Sequence, residues 1–243
     1  MMTEKDLCIV NIGNTSTRIY TEGREITVPT GELTAEMIPS GVPCAVSSVV
    51  PEKTRQLKDA RADIFWITKD TPGMPDLSQV DASTVGADRL ANAAKLLSDG
   101  VLPAVTIDCG TAINCEIVSR DGSFLGGAIY PGRKLLRKAL HLFTAQLPEI
   151  PEKPTLPEDF PGKNTKHCLE WGTDGMAAAA IGDFITRTRI LFPGESLRIV
   201  FCGGDGDFFY QQFKDQPGVE SGGAEFTRDG IRALYERAKV QKI

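Results

Sequence analysis

The 243-residue chain is 41% hydrophobic and 24% charged, a balance ordinary for a globular protein that buries one large core or two of about 100–120 residues. Its formal net charge of −5, with no Lys/Arg run, argues against a nucleic-acid partner, and no stretch approaches the ~20 apolar residues of a membrane span. Six cysteines (Cys8, Cys44, Cys109, Cys115, Cys168, Cys202) form no C-x-x-C pair, so reduced thiols are expected rather than zinc or disulfides. Residues 1–6 are polar and lack the build of a signal peptide, which points to a cytoplasmic protein.

The apolar pattern predicts strands over 7–12, 17–21 and 25–29, a short helix near 33–38, a strand over 43–50, a helix over 51–60 and a strand over 63–68. Leu90, Ala93, Ala94 and Leu97 recur at helical spacing, predicting a helix over 86–98 that Asp99-Gly100 stops. The order then repeats. Strands are expected at 103–108, 113–119 and 123–129, the last two joined by an Asp121-Gly122 turn. An amphipathic helix over 133–146 should turn Leu135, Leu136, Ala139, Leu140 and Phe143 inward. Five prolines between 148 and 161 exclude regular structure there. A helix over 165–189, a strand over 197–203 and helices near 206–214 and 227–240 follow. The repeat divides the chain into halves at 1–101 and 102–243.

Two short runs carry the functional signal. Asn11-Ile12-Gly13-Asn14-Thr15 and Asp108-Cys109-Gly110-Thr111 each follow an apolar strand and precede a returning one. A tight turn of this kind exposes backbone N–H groups and hydroxyls, a nest suited to phosphate oxygens. Gly13-Asn14-Thr15 alone reads equally as a surface turn; the second copy favours phosphate binding. Asp108, ending a buried strand, is either a turn acceptor or a cation ligand. Asp88 and Arg89, at a helix start, are explained as well by the helix dipole as by catalysis. Gly203 and Gly204 follow a strand and allow close approach of a ligand or another backbone. Gly162-Lys163-Asn164-Thr165 lacks the earlier glycine and the preceding strand of a P-loop.

A three-strand meander followed by alternating helices and strands, occurring twice, resembles the ribonuclease-H-like halves of the actin, hexokinase and Hsp70 superfamily, an α/β fold with ATP in the cleft between halves. Eight segments in order resemble the type III pantothenate kinases: 12–15, 47–51, 86–92, 108–112, 125–132, 144–148, 162–165 and Gly203-Gly204. The resemblance implies a dimeric enzyme that phosphorylates pantothenate from ATP, the first step of coenzyme A synthesis, with Mg²⁺ and a monovalent cation, K⁺ or NH₄⁺. It makes Asp88 the general base and places Gly86, Ala87, Asp88 and Arg89 at the pantothenate site, with Arg89 suited to the carboxylate. Asp108 would hold the monovalent cation. Asn11, Gly13, Asn14, Thr15, Thr111, Gly203 and Gly204 would contact ATP, and Thr165 the second substrate.

Two positions depart from the family pattern. Asn11 stands where the family has Asp, keeping an oxygen but losing the charge that helps hold Mg²⁺ against a triphosphate. Gln79 stands where the family has a pantothenate-binding Tyr. These two residues leave open an alternative, a weakened nucleotide-binding family member with a regulatory role.

Overall fold

The computed structural model describes residues 7–241, so the polar residues 1–6 lie outside the described residues. Two five-stranded sheets organise the chain. The first is built from β1 (Cys8–Ile12), β2 (Ser16–Thr21), β3 (Arg24–Pro29), β4 (Cys44–Ser48) and β5 (Ile64–Trp66), in the order β3-β2-β1-β4-β5. β1 is antiparallel to β2 and parallel to β4. The second contains β6 (Ala104–Cys109), β7 (Ala112–Val118), β8 (Phe124–Pro131), β9 (Arg198–Cys202) and β10 (Val219–Gly223), ordered β8-β7-β6-β9-β10. Counted from its own first strand, the second order is identical to the first. The duplication expected from the two turns is thus a duplication of topology.

Contacts divide the chain differently from a single cut after residue 101. One unit comprises 1–102, 118–125 and 225–243; the other comprises 103–117 and 126–224. The last helix, α7 (Phe226–Val240), therefore belongs with the first sheet. It packs on α2 (Ala87–Asp99), where Gly230 leaves space for the Ala91 carbonyl and any Cβ would collide. Ile9, Tyr20 and Ala45 form one core with Ala91, Ala94, Ile231 and Leu234. On the other face Val10, Ile12, Ile19 and Val46 pack with Leu33, Ile38 and Leu57, the last from α1 (Pro51–Ala60). Period-two alternation thus gives every central strand two buried faces. Buried Asn92 accepts a hydrogen bond from Thr227 Oγ1 at 2.8 Å, tying α2 to α7.

The second unit carries α3 (Arg133–Leu142), α4 (Thr165–Glu170), α5 (Met176–Leu191) and α6 (Gly206–Phe213). Its core includes Ile107, Ile199, Phe209 and Ile181, with Phe201 stacked on Phe213 at 5.5 Å between centroids.

Several boundaries differ from expectation. The helix near 33–38 is two single 3₁₀ turns, Thr30–Glu32 and Ala35–Met37. The helix expected over 165–189 is interrupted by a π-helical segment, Trp171–Gly175, where the Trp171 ring occupies the space that a Gly175 Cβ would need. β10, of sequence Val-Glu-Ser-Gly-Gly, has no apolar alternation because it is an exposed edge strand. The largest departure is α3. It ends at Leu142, and Arg133 and Arg137 are its buried residues, while Leu135 is 46% and Phe143 86% exposed. Leu136, Ala139 and Leu140 are half-buried. A buried acid, Asp174, receives both arginines and fixes which side of the helix turns inward.

Candidate active site

In the first unit β1 ends in the turn Gly13-Asn14-Thr15. Gly13 N–H donates to Ser16 O at 3.1 Å, and Asn14 and Thr15 are exposed. Thr30 clamps this turn twice: its N–H donates to Thr15 O at 3.0 Å and its hydroxyl to Gly13 O at 2.6 Å. The buried Thr17 hydroxyl lies 3.1 Å from that of Thr30. These bonds occupy the Gly13 and Thr15 carbonyls and hold the turn in one conformation.

Asn11 is half-buried and lies in register with Ser47 on β4 and Arg18 on β2. Ser47 is fully buried, and its hydroxyl has no hydrogen-bond partner among the described residues. Ser48 has a structural task. Its hydroxyl accepts from Val50 N–H at 3.2 Å and from Thr54 at 2.8 Å, closing the entry to α1.

The start of α2 is brought to the same end of this sheet. Val49 N–H donates to Ile12 O at 3.1 Å, and the Val49 Cγ1 lies 3.2 Å from where a Gly86 Cβ would stand. That position is also 2.7 Å from Asp88 Oδ1, so a side chain at 86 would displace the carboxylate. Asp88 Oδ1 accepts from Arg89 N–H at 2.7 Å at the positive end of α2. The Arg89 guanidinium lies 5.9 Å from the Phe124 ring centroid. The structure therefore gathers Asn11, Gly13, Gly86 and Asp88 at one sheet end. Gln79 is exposed on the loop before α2.

In the second unit β6 and β7 meet at Gly110-Thr111, where Gly110 N–H donates to Ala112 O at 2.9 Å. Gly203 has φ +85° and lies against the Asp108 carboxylate, where a Cβ would collide with Oδ1. Asp205 N–H donates to Cys109 O at 2.9 Å. Asp108, Thr111, Gly203 and Gly204 thus share one end of the second sheet. Burial, reinforced by the Asp108 charge, pushes the Cys109 and Cys202 thiols well up, so both stay neutral. Thr165 is exposed at the start of α4, whose N-cap is Asn164: its Oδ1 accepts from His167 N–H at 3.0 Å. The segment 162–165 is therefore a helix cap.

Residues to which the sequence reading gave no role include Ser47, Thr30, Arg133 and Asp205. Ser47 lies in the family-like segment 47–51 and Asp205 directly after the Gly pair, while Thr30 and Arg133 had no local signal. A cavity lined by Tyr20, Arg24, Arg228 and Arg232 lies at the far end of β2 from the Gly13 turn, so it is separate from these groups.

A duplicated sheet of this order, ending both times in a glycine–hydroxyl turn, defines the actin, hexokinase and Hsp70 class of fold. A crystal structure from Campylobacter jejuni, of a protein provisionally described as a Baf family transcriptional activator, superposes with a TM-score of 0.71 at 18% identity over 97% of this chain and 100% of that one. A Sinorhizobium meliloti protein provisionally described as a 2-dehydro-3-deoxygalactonokinase gives 0.52 at 13% identity over 97% and 99%. Both likenesses concern the fold. Residues 7–187 match the family model of type III pantothenate kinase. Relatives of that name are 33% identical in Jannaschia sp. over 68% of this chain and 65% of theirs, and 30% identical in Rhodospirillum centenum over 83% and 79%. The chain belongs to the type III pantothenate kinase family.

Proposed function

We propose that this chain transfers the γ-phosphoryl group of ATP to the hydroxyl of pantothenate, the first step of coenzyme A synthesis. The observation that carries the assignment, beyond family membership, is the Gly86–Asp88 geometry. A carboxylate is held at a helix N-terminus, beside the strand end that carries Asn11 and the Gly13 turn. In the reaction the hydroxyl oxygen forms a bond to the γ-phosphorus as the bond to the ADP oxygen breaks. Asp88 takes the hydroxyl proton.

Arg89 provides a fork for the pantothenate carboxylate, and Thr165 reaches the second substrate. The N–H groups and hydroxyls of the Gly13 turn and Thr111 hold phosphate, while Gly203 and Gly204 admit the nucleotide by close backbone approach. No cluster of three or more acid, His or Cys side chains gathers among the described residues to hold a metal. The donor set fits a Mg²⁺ that arrives on ATP phosphates, with the Asn11 amide oxygen beside it. When bound, it neutralises phosphate charge. Asp108, a carboxylate at a strand end, suits K⁺ or NH₄⁺.

A homodimer would cover the apolar residues left on β8 and at the end of α3: Ile129 is 62%, Leu142 64% and Phe143, just past the helix, 86% exposed. Among the described residues no helix is long and apolar enough to cross a membrane, in keeping with a cytoplasmic enzyme. A coupled ADP-release assay tests the proposal. Release that depends on pantothenate supports it; nucleotide binding without turnover in pantothenate and K⁺ would sink it and favour a regulatory role.

A further inference from the structure

Arg133 opens α3 and is 3% exposed, yet several segments of the second unit meet at its guanidinium. Nε and Nη2 donate to the two oxygens of Asp174 at 3.1 and 2.9 Å. Nη2 also donates to the Lys153 carbonyl at 2.6 Å, and Nη1 to Asp205 Oδ1 at 3.3 Å. The Phe208 ring centroid lies 3.5 Å from the guanidinium carbon. One planar fork therefore joins α3, the proline-rich connector, the π-helical segment and the turn after β9.

The bonds close a ring. Gly132 N–H donates to Thr111 O at 3.0 Å, which seats the start of α3 on the Gly110-Thr111 turn. A Cβ on Gly132 would strike the Gly110 carbonyl, so this seat needs glycine. From there Arg133 reaches Asp205, and Asp205 N–H returns to Cys109 O at 2.9 Å. Asp108 and Gly203 lie along this ring. A pair that only filled volume could be apolar at less desolvation cost, whereas a bidentate ion pair fixes orientation.

We propose that Arg133 is a positioning residue for nucleotide binding, holding Asp205 and with it the turn 203–205 against the end of β6. The inference rests on the reading of Gly203 and Gly204 as nucleotide contacts. Burial pushes the Asp205 carboxyl above the usual range and the Arg133 charge pulls it back, consistent with a carboxylate that depends on this partner.

The test is ADP binding by calorimetry on the full chain, with KM measured for both substrates. Arg133→Lys keeps the charge but not the fork. ADP Kd should rise about tenfold while KM for pantothenate stays within about twofold. Asp205→Asn should weaken ADP binding in the same sense. The double variant should be no worse than the weaker single one, because both remove one link. Additive losses, or unchanged ADP affinity in folded Arg133→Lys, would overturn the proposal. If Arg133→Lys does not fold, Asp205→Asn carries the test, since the Arg133–Asp174 pair remains; unchanged affinity there overturns it equally. A wild-type chain that binds no ADP would sink the nucleotide reading as well, whereas wild-type binding with unaffected variants sinks only the role of Arg133.

Discussion

The two sheets share a strand order but hold their turns by opposite means. In the first unit the turn after β1 is clamped by neutral hydroxyls, Thr17 and Thr30, and β1 carries an amide, Asn11, one residue before its end. In the second, β6 carries a carboxylate, Asp108, one residue before its end, and the surrounding turns are joined by a largely buried chain of charges, Asp205–Arg133–Asp174–Arg137. One scaffold thus presents a turn held by hydroxyls in one copy and a turn tied into ion pairs in the other. In the proposed reading the first takes phosphate, and Asp108 of the second takes a monovalent cation. The duplication supplies geometry, and single side chains at equivalent positions assign the chemistry.

Removing a charge from the second unit should have the largest effect. Asp174 is 1% exposed and serves two buried guanidiniums, so Asp174→Ala leaves both without their shared carboxylate. We expect a loss of about 3–5 kcal/mol, read as a lowered thermal midpoint. Burial alone would raise the Asp174 pKa, but hydrogen bonds and charge from Arg133 and Arg137 more than offset it, and the value is lowered. A depressed folded pKa means a contribution fully present above the ordinary carboxylate range and lost as pH falls through the folded value. Asp174→Asn should therefore flatten the acid limb of the stability curve. A variant melting like wild type at every pH would show the charge chain to be idle.

In the first unit the decisive change is catalytic rather than structural. Asp88→Asn preserves size and can still accept from Arg89 N–H, but removes the proton acceptor. Turnover should fall about 10²-fold or more with ADP affinity nearly unchanged. Unchanged phosphorylation would take Asp88 out of the mechanism. The contrast expected with Asp174 is that one acid holds the fold and the other, as proposed, takes the substrate's proton.

Asp108→Ala tests the cation half of the comparison. Wild-type activity should need K⁺ or NH₄⁺, and the variant should lose that dependence together with most activity, about tenfold. Full wild-type activity in Na⁺ alone would return Asp108 to the status of a turn acceptor.

Much of this contrast was legible in the chain. The repeated strand–glycine–hydroxyl pattern gave both turns and the duplicated topology, because local sterics and period-two burial act within a few residues. Gly100 and Gly122 stop their elements with φ of +72° and +86°, as their sequence context implies. What stayed hidden depends on distant partners. The helical pattern of α3 points its leucines inward, yet Asp174, far along the chain, draws Arg133 and Arg137 into the core instead. α7 joins the first unit because Gly230 and Ala91 fit one another, a relation that no window of sequence contains. The Ser47 hydroxyl became notable only when register set it beside Asn11.

That register frames the smallest expected effect. If the Asn11 amide faces the metal-bound triphosphate, Asn11→Asp should lower the apparent KM for Mg-ATP by roughly two- to fivefold, under about 1 kcal/mol. The gain is limited by what lies alongside. Arg18, in register on β2, has its Nε 3.5 Å from Glu25, and a new carboxylate at position 11 would compete for the same guanidinium. Charge directed to Arg18 is charge withheld from Mg²⁺. A titration of Mg-ATP against wild type, Asn11→Asp and Asn11→Asp combined with Arg18→Gln separates the two. A larger gain in the double variant identifies Arg18 as the competitor. No gain in either variant would mean that Asn11 only closes the junction between strand and turn.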